Sequence, residues 1–448
     1  MYRSMIFVEN LISYILPFVL LMIVGLFFTF KGKCFQVKGL IKSMPLIVKA
    51  AKNSRKGKDF NSFSAACTAL SATVGTGNIA GVAGAVSIGG AGAVFWMWVA
   101  AFMGMAIKYG EITLSVIYGK GSIGGPLNYI KKGLPSKLKK VTFIFAFATL
   151  PAVFCTGNIT QTNAAVNSFG ENTFVKCFIG AVFAVFTWFI IRGGIKSIGS
   201  VTEWLVPLMA LVYIIFCMGV IFKNINLLPQ ALKMIIEGAF NPRAVTGGAV
   251  GSVLTVMFTG ASRGIFSNEA GLGTSAMAHS AASDTDEKVQ GLFGIFEVFL
   301  DTVVLCTLTA LTILCSGVNI NYGTVASTQL VGDALTLNYG KFSVIILSVM
   351  MCLFAFSSVI GWAVYGDISS EYVFGAKGRE IFRFLYPLGC IAGALFDVEN
   401  VWRLASFFNG IMLCINLPVL VYLCDDFLSV FRGVNNEKKN RKNQRDFK

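Results

Sequence analysis

The sequence predicts an all-α polytopic membrane protein with about eleven transmembrane helices, and three observations carry that prediction. The first is composition. Of 448 residues, 55% are hydrophobic and only 13% charged, with a mean hydropathy of +0.71; a soluble domain carries about 25% charged residues. The second is a series of apolar runs. One crossing takes about 20 apolar residues, and the chain holds about ten to twelve such runs. The third is that two of these runs, one in each half, are interrupted by residues that loosen a helix.

The net charge is +15. Lys and Arg cluster in short connectors and in the tail, as the positive-inside rule expects, so the charge is no nucleic-acid signal. Eleven cysteines are scattered through apolar runs without a C-x-x-C, which reads as reduced thiols acting as small hydrophobes. A single histidine removes the usual metal centres. Residues 1–10 lack a basic stretch followed by a small-residue cleavage site, so residues 7–30 are read as a retained first span.

The elements follow in order. After the first span, residues 31–58 carry Lys31, Lys33, Lys38, Lys42, Lys49, Lys52, Arg55, Lys56 and Lys58. This connector is expected in the cytoplasm, with the N-terminus outside. Its part 41–51 alternates apolar and lysine residues at helical spacing and is expected to lie flat on the membrane surface. The second span, about 61–87, holds T-A-L-S-A-T-V-G-T-G-N-I-A (68–80). The third, about 92–118, begins F-W-M-W, an aromatic belt at the outer interface. A lysine-rich inner loop, 119–140, leads to spans four (141–169), five (174–191) and six (201–222).

An outer connector, 223–243, has a weak amphipathic pattern (Leu228, Ala231, Leu232, Ile235, Ile236). Span seven, about 246–282, contains the second interruption, G-I-F-S-N-E-A-G-L-G (264–273). Spans eight to eleven are expected at 290–315, 342–374, 382–396 and 401–431, with a basic, disordered cytoplasmic tail at 433–448. One extra N-terminal span leaves two sets of five. An odd-numbered half makes the next one enter from the opposite side, so the repeats are inverted. The expected organisation is residues 1–60 as first span and basic connector, 61–222 as first repeat, 223–245 as outer connector, 246–432 as second repeat and 433–448 as tail.

V-G-T-G-N, at the centre of the first interruption, puts two glycines, two β-branched residues and an Asn within five positions, a poor helix. Loosened backbone is tolerated at membrane depth only where it lines a cavity or is buried in protein. Paired interrupted helices in corresponding places of two halves point to a transporter's substrate site. Free N–H groups over Val74, Gly75, Thr76, Gly77 and Asn78 form a candidate nest for an anion. Freed carbonyls there and around Phe266 and Ser267 suit a cation. The alternative is a glycine-packed helix crossing without a ligand. In span four, Gln161 and Asn158 stand three apart and share a face, beside Thr156, Thr160 and Asn163; interhelical hydrogen bonding is the other reading.

Five longer stretches carry a family resemblance. G-G-A-G-A-V-F-W-M-W-V-A-A-F-M-G (89–104) strongly resembles the signature of the sodium:alanine/glycine symporters. T-V-G-T-G-N-I-A-G-V (73–82), G-M-x-I-K-Y-x-E (104–111) and F-S-N-E-A-G-L-G (266–273) look like further characteristic stretches. G-W-A-V-Y-G-D (361–367) is similar to the family's late tryptophan segment, expected more often as G-W-x-Y-Y-G-E. The resemblance runs from about residue 61 onward. It implies a LeuT-type five-plus-five inverted-repeat fold and sodium-coupled import of a small neutral amino acid across the cell membrane. The implied ligands are that amino acid and Na⁺, the co-transported ion; no organic cofactor is implied.

Under that resemblance Gln161 becomes a candidate substrate contact. Sodium takes hard oxygen ligands, and the expected set is backbone carbonyls of Ala72, Val74 or Gly75 with the hydroxyls of Ser357 and Ser358; the family often has Thr where this chain has Ser. Helix-internal back-bonding is the other use of those serines. Trp362, four residues beyond Ser358, is placed to close the cavity and limit side-chain size, or is a packing Trp.

Ionisable residues inside spans are costly. Glu269 sits in the second interruption, with Arg263 as a candidate partner. Asp301 and Glu297 are read as one face of span eight, either an ion or proton site or paired with a positive group such as Lys108. Lys108 and Glu111 fall near the inner end of span three, and His279 is read as structural. A channel would need pore-lining rings; a membrane protease would need H-E-x-x-H or a nucleophile elbow with a base. The sequence offers neither, and no Walker motif.

Overall fold

The computed structural model describes residues 15–54, 59–119, 123–283, 286–324, 328–396 and 399–433. The first part of the expected first span, and all of the expected tail but Gly433, lie outside the described residues. Among the described residues every regular element is helical.

Helix α1 (Leu16–Lys31) is bent 83° from α2 (Phe35–Ser54), which fits a crossing followed by a surface helix. Along α2, Val37, Ile41, Met44 and Val48 are exposed at helical spacing, while Gly39 is pressed against Leu292 and Ile295. Asn61 caps α3 (Ser62–Thr73) by accepting from the N–H groups of Phe63 and Ser64. The helix stops at Val74, and a 3₁₀ turn (Thr76–Asn78) leads to α4 (Ala80–Gly89), bent 57° from α3. The break predicted from V-G-T-G-N is therefore present.

Helix α5 (Gly92–Gly119) carries Trp96 and Trp98 of the F-W-M-W run, and Trp96 donates to Ala239 O (3.3 Å). A short α6 (Pro126–Gly133) leads to α7 (Val141–Phe154) and α8 (Thr160–Asn167), joined by a π turn over Cys155–Ile159. Helices α9 (Thr173–Arg192) and α10 (Gly194–Lys223) follow, then α11 (Leu228–Phe240) and α12 (Pro242–Thr246) in the expected outer connector.

Helix α13 (Val253–Asn268), capped by Ser252, ends at Glu269 in left-handed geometry, and α14 (Thr274–His279) resumes beyond. This is the second predicted break. Helices α15 (Glu287–Val298) and α16 (Thr307–Cys315) flank a π segment at Phe299–Cys306. Then come α17 (Thr328–Tyr339), α18 (Phe342–Leu385), α19 (Leu388–Leu395), α20 (Glu399–Tyr422) and α21 (Cys424–Arg432). Gly361 of α18 is where the chain approaches α3: a Cβ there would run into Ser71 Oγ and Ala72 N.

Among the described residues, length and apolarity give seven crossing helices, or nine when each bent pair counts as one, against the eleven expected. The second break is the first reason: Arg263, Glu269 and His279 dilute the apolar character of α13–α14. The other is Gly375, at φ 73° and ψ −170° inside α18, which separates the ninth and tenth expected spans although one run of 54 residues continues through it. The helix resumes directly after Gly375, earlier than the expected start at 382.

Candidate functional site

The first break is held open by hydrogen bonds that divert backbone N–H groups from the helix. In a continuous helix the N–H groups of Gly75 and Thr76 would go to Ser71 O and Ala72 O. Instead Gly75 N–H donates to Asn78 Oδ1 (2.9 Å) and Thr76 N–H to Gln161 Oε1 (3.1 Å). Thr76 Oγ1 donates to that same Gln161 oxygen (2.8 Å), while Gln161 Nε2 donates to Thr156 O (3.2 Å). The carboxamide oxygen of Gln161 thus occupies two donors of the kind a carboxylate seeks. Val74 N–H still closes the last turn of α3 on Leu70 O (2.7 Å), so the nest begins at Gly75 rather than Val74.

One carbonyl of the break, Val74 O, faces α18. Ser357 Oγ lies 3.4 Å from Val74 O and also back-bonds to Phe354 O at 2.8 Å. The back-bonded reading of that serine is present, and its hydroxyl also stands beside a carbonyl of the break. Ser358 is wholly buried, and its hydroxyl has no hydrogen-bond partner among the described residues. It stands against Gly75, where a Cβ would run into Ser358 Oγ and come within 3.0 Å of Gln161 Oε1. A buried hydroxyl without a partner is costly; a hard cation is one group that would satisfy it.

The two breaks meet at Asp301, in the π segment of span eight. Its Oδ1 accepts from Asn78 Nδ2 (2.7 Å), and its Oδ2 from Ser267 Oγ (2.7 Å) and Thr302 Oγ1 (2.8 Å). Asn78 Nδ2 also lies 3.2 Å from Ser267 Oγ, and Thr309 Oγ1 donates to Asn78 O (2.7 Å). Phe266 packs across Gly77, 3.7 Å from where a Cβ would stand, and its ring meets that of Trp402 at 5.2 Å. A buried carboxylate with neutral donors from both broken helices ties them into one unit.

Other expected residues go elsewhere. Asn158, read as sharing a face with Gln161, donates to Tyr386 O (2.6 Å); the π turn at Cys155–Ile159 shifts the register between the two. Glu297 and Asp301 are likewise parted, since the π segment begins at Phe299. Glu297 pairs with His279 Nε2 (2.6 Å), and His279 Nδ1 meets Gln290, which donates to Ser62 Oγ (2.6 Å). Trp362 is fully buried against Gly157 of the π turn, one turn from Ser358. Thr302, Thr309 and Asn416 escape sequence reading. Their only signal is a polar side chain within an apolar run, which helix packing also uses.

Comparison with known proteins gives the family and the fold. The family model of the sodium:alanine symporter family matches residues 3–448. The sodium/alanine symporter AgcS of Methanococcus maripaludis is 38% identical over 436 residues, 94% of each chain. The probable sodium/glutamine symporter GlnT of Bacillus subtilis is 34% identical over 434 residues, 94% of this chain and 88% of its own. Among solved structures, MhsT in complex with L-phenylalanine superposes with a TM-score of 0.60 at 15% identity, covering 84% of this chain and 92% of that one; that likeness carries the fold, of the LeuT type. With the family model spanning nearly the whole sequence and both interrupted helices in place, the chain belongs to the sodium:alanine symporter family of secondary transporters.

Proposed function

We propose that this protein imports small neutral amino acids with Na⁺ by alternating access, with alanine as the leading substrate and glycine, serine and D-alanine as candidates. The observation that carries the proposal is the convergence of both broken helices on one buried polar network: Thr76 with Gln161, and Asn78 with Asp301 and Ser267. The substrate's carboxylate takes the Thr76 donors from Gln161 Oε1, with Gly75, Gly77 and Asn78 shaping the nest. Carbonyls at the end of α13, around Phe266 and Ser267, take the ammonium. Phe266 and Trp362 limit the side chain. Na⁺ binds Ala72 O and Val74 O together with Ser357 and Ser358; Gly75 O, also on the expected list, accepts Asn78 N–H at 3.2 Å.

Coupling follows from the shared backbone. Substrate and ion both require α3 to stay unwound at Val74–Thr76, so each stabilises the form the other binds, and by linkage the effect is mutual. Residues 61–222 and 246–432 act as the inverted repeats. The N-terminus is outside and the basic tail cytoplasmic. The names of relatives support sodium coupling and differ in the amino acid, alanine for one and glutamine for another. Binding of a panel of small neutral amino acids to the purified protein, with Na⁺ and with choline in its place, tests the reading. Alanine binding that requires Na⁺ is expected; binding indifferent to Na⁺ contradicts it.

A further inference from the structure

The stretch G-M-x-I-K-Y-x-E ends in two charged residues, Lys108 and Glu111, both wholly buried on α5. Neither touches the first break. Both reach the second, at its opposite ends. Lys108 Nζ donates to Asn268 O (2.8 Å), the last residue of α13. Glu111 Oε1 accepts the N–H of Gly273 (3.0 Å), the residue that caps α14.

A break in a membrane-embedded helix frees carbonyls on one side and N–H groups on the other, and each needs a partner. The accounting here is specific. In a continuous helix Ala270 N–H would go to Phe266 O, but it goes to Asn268 Oδ1 (3.0 Å). Leu272 N–H would go to Asn268 O, but it turns to Glu269 O (3.2 Å). Asn268 O, left without its helical donor, receives the ammonium of Lys108. At the far end Gly271 O receives Asn416 Nδ2 (2.9 Å), and that same amide also donates to Glu111 Oε1 (2.6 Å). Left-handed backbone at Glu269, Gly271 and Gly273 (φ 55°, 92° and 77°) turns the chain between the two ends.

The roles match: an ammonium donor stands at the carbonyl end and a carboxyl acceptor at the N–H end, three residues apart on one helix face. Charge-assisted hydrogen bonds are about twice as strong as neutral ones. The Lys108 stem packs on Gly294 of α15, so this clamp belongs to the same packed unit as the span that carries Asp301.

We infer that Lys108 and Glu111 are positioning residues that hold the second break unwound, and so keep the carbonyls of Phe266 and Ser267 available to the substrate's ammonium group. The inference rests on the substrate reading proposed above. It differs from a packing role in a way that substitutions separate. Met keeps the stem of Lys108 and loses the charge, whereas Arg keeps the charge and is bulkier. Gln keeps the shape of Glu111 and its acceptor oxygen but not the charge.

The experiment measures Na⁺-driven alanine uptake in proteoliposomes by the wild type, Lys108→Met, Lys108→Arg and Glu111→Gln, each as half-saturation and maximal rate per monodisperse protein. Half-saturation for alanine is expected to rise at least ten-fold in Lys108→Met and in Glu111→Gln, and less than three-fold in Lys108→Arg. The reverse order, with Met close to wild type and Arg impaired, overturns the inference, as does a wild-type half-saturation in Glu111→Gln. Should Lys108→Met not be recovered folded, Glu111→Gln decides alone. The wild-type reference separates the two claims: absence of Na⁺-driven alanine uptake there overturns the transport reading itself.

Discussion

Single atoms decide most at the first break. Gln161 Oε1 holds both donors of Thr76, so the substrate's carboxylate competes with a side chain already in place. Gln161→Glu puts a charged carboxylate there and is expected to raise the half-saturation for alanine at least ten-fold, about 1.4 kcal/mol; an unchanged value measured by radiolabelled uptake would remove Gln161 from the site. Ser358 is the sodium counterpart. Its unpartnered hydroxyl predicts that Ser358→Ala raises the Na⁺ half-saturation about ten-fold while alanine recognition at saturating Na⁺ is nearly retained. The polarity of Gln161 and the paired serines was legible in the sequence. The partners were not: Asn158, three residues from Gln161, turns to Tyr386 because a π turn intervenes, and helical spacing cannot reveal a π turn.

Each broken helix needs a scaffold that spares its backbone the cost of unpaired groups. The first uses Gln161, Asn78 and Ser357; the second uses Lys108, Glu111 and Asn416. Both breaks were readable, since V-G-T-G-N and S-N-E-A-G-L-G are runs no stable helix would choose. Their junction at Asp301 was not, because the π segment re-aims that residue away from Glu297. Gly75→Leu meets Ser358 and Gln161 at once. It is expected to abolish Na⁺-dependent alanine binding while the protein still inserts and purifies; binding at the wild-type level would refute the site. Asp301→Asn keeps shape and removes the charge that both breaks share. Uptake is expected to fall at least ten-fold, and a wild-type rate in the same vesicles would show that the junction is only structural.

At the scale of the molecule, composition and parity carried the fold. Apolar runs announced a polytopic bundle, and a family model with a LeuT-type structural neighbour agrees. Span counting is weaker where function sits, because the residues that make a site polar also make its helix look short of a crossing; α13–α14 is the example. The N-terminal half of the first broken helix is tied down twice, through Ser64 to Glu203 of α10 and through Ser62 to Gln290 and the His279–Glu297 pair. Motion of α3 relative to α10 must break the first of these ties. The central claim is that one unwound stretch serves ion and amino acid together. The most direct measurement is alanine accumulation in proteoliposomes under an imposed inward Na⁺ gradient, with a pH gradient as the comparison. Concentrative uptake driven by Na⁺ alone is the expected result; uptake that ignores Na⁺ and follows the pH gradient would contradict the account.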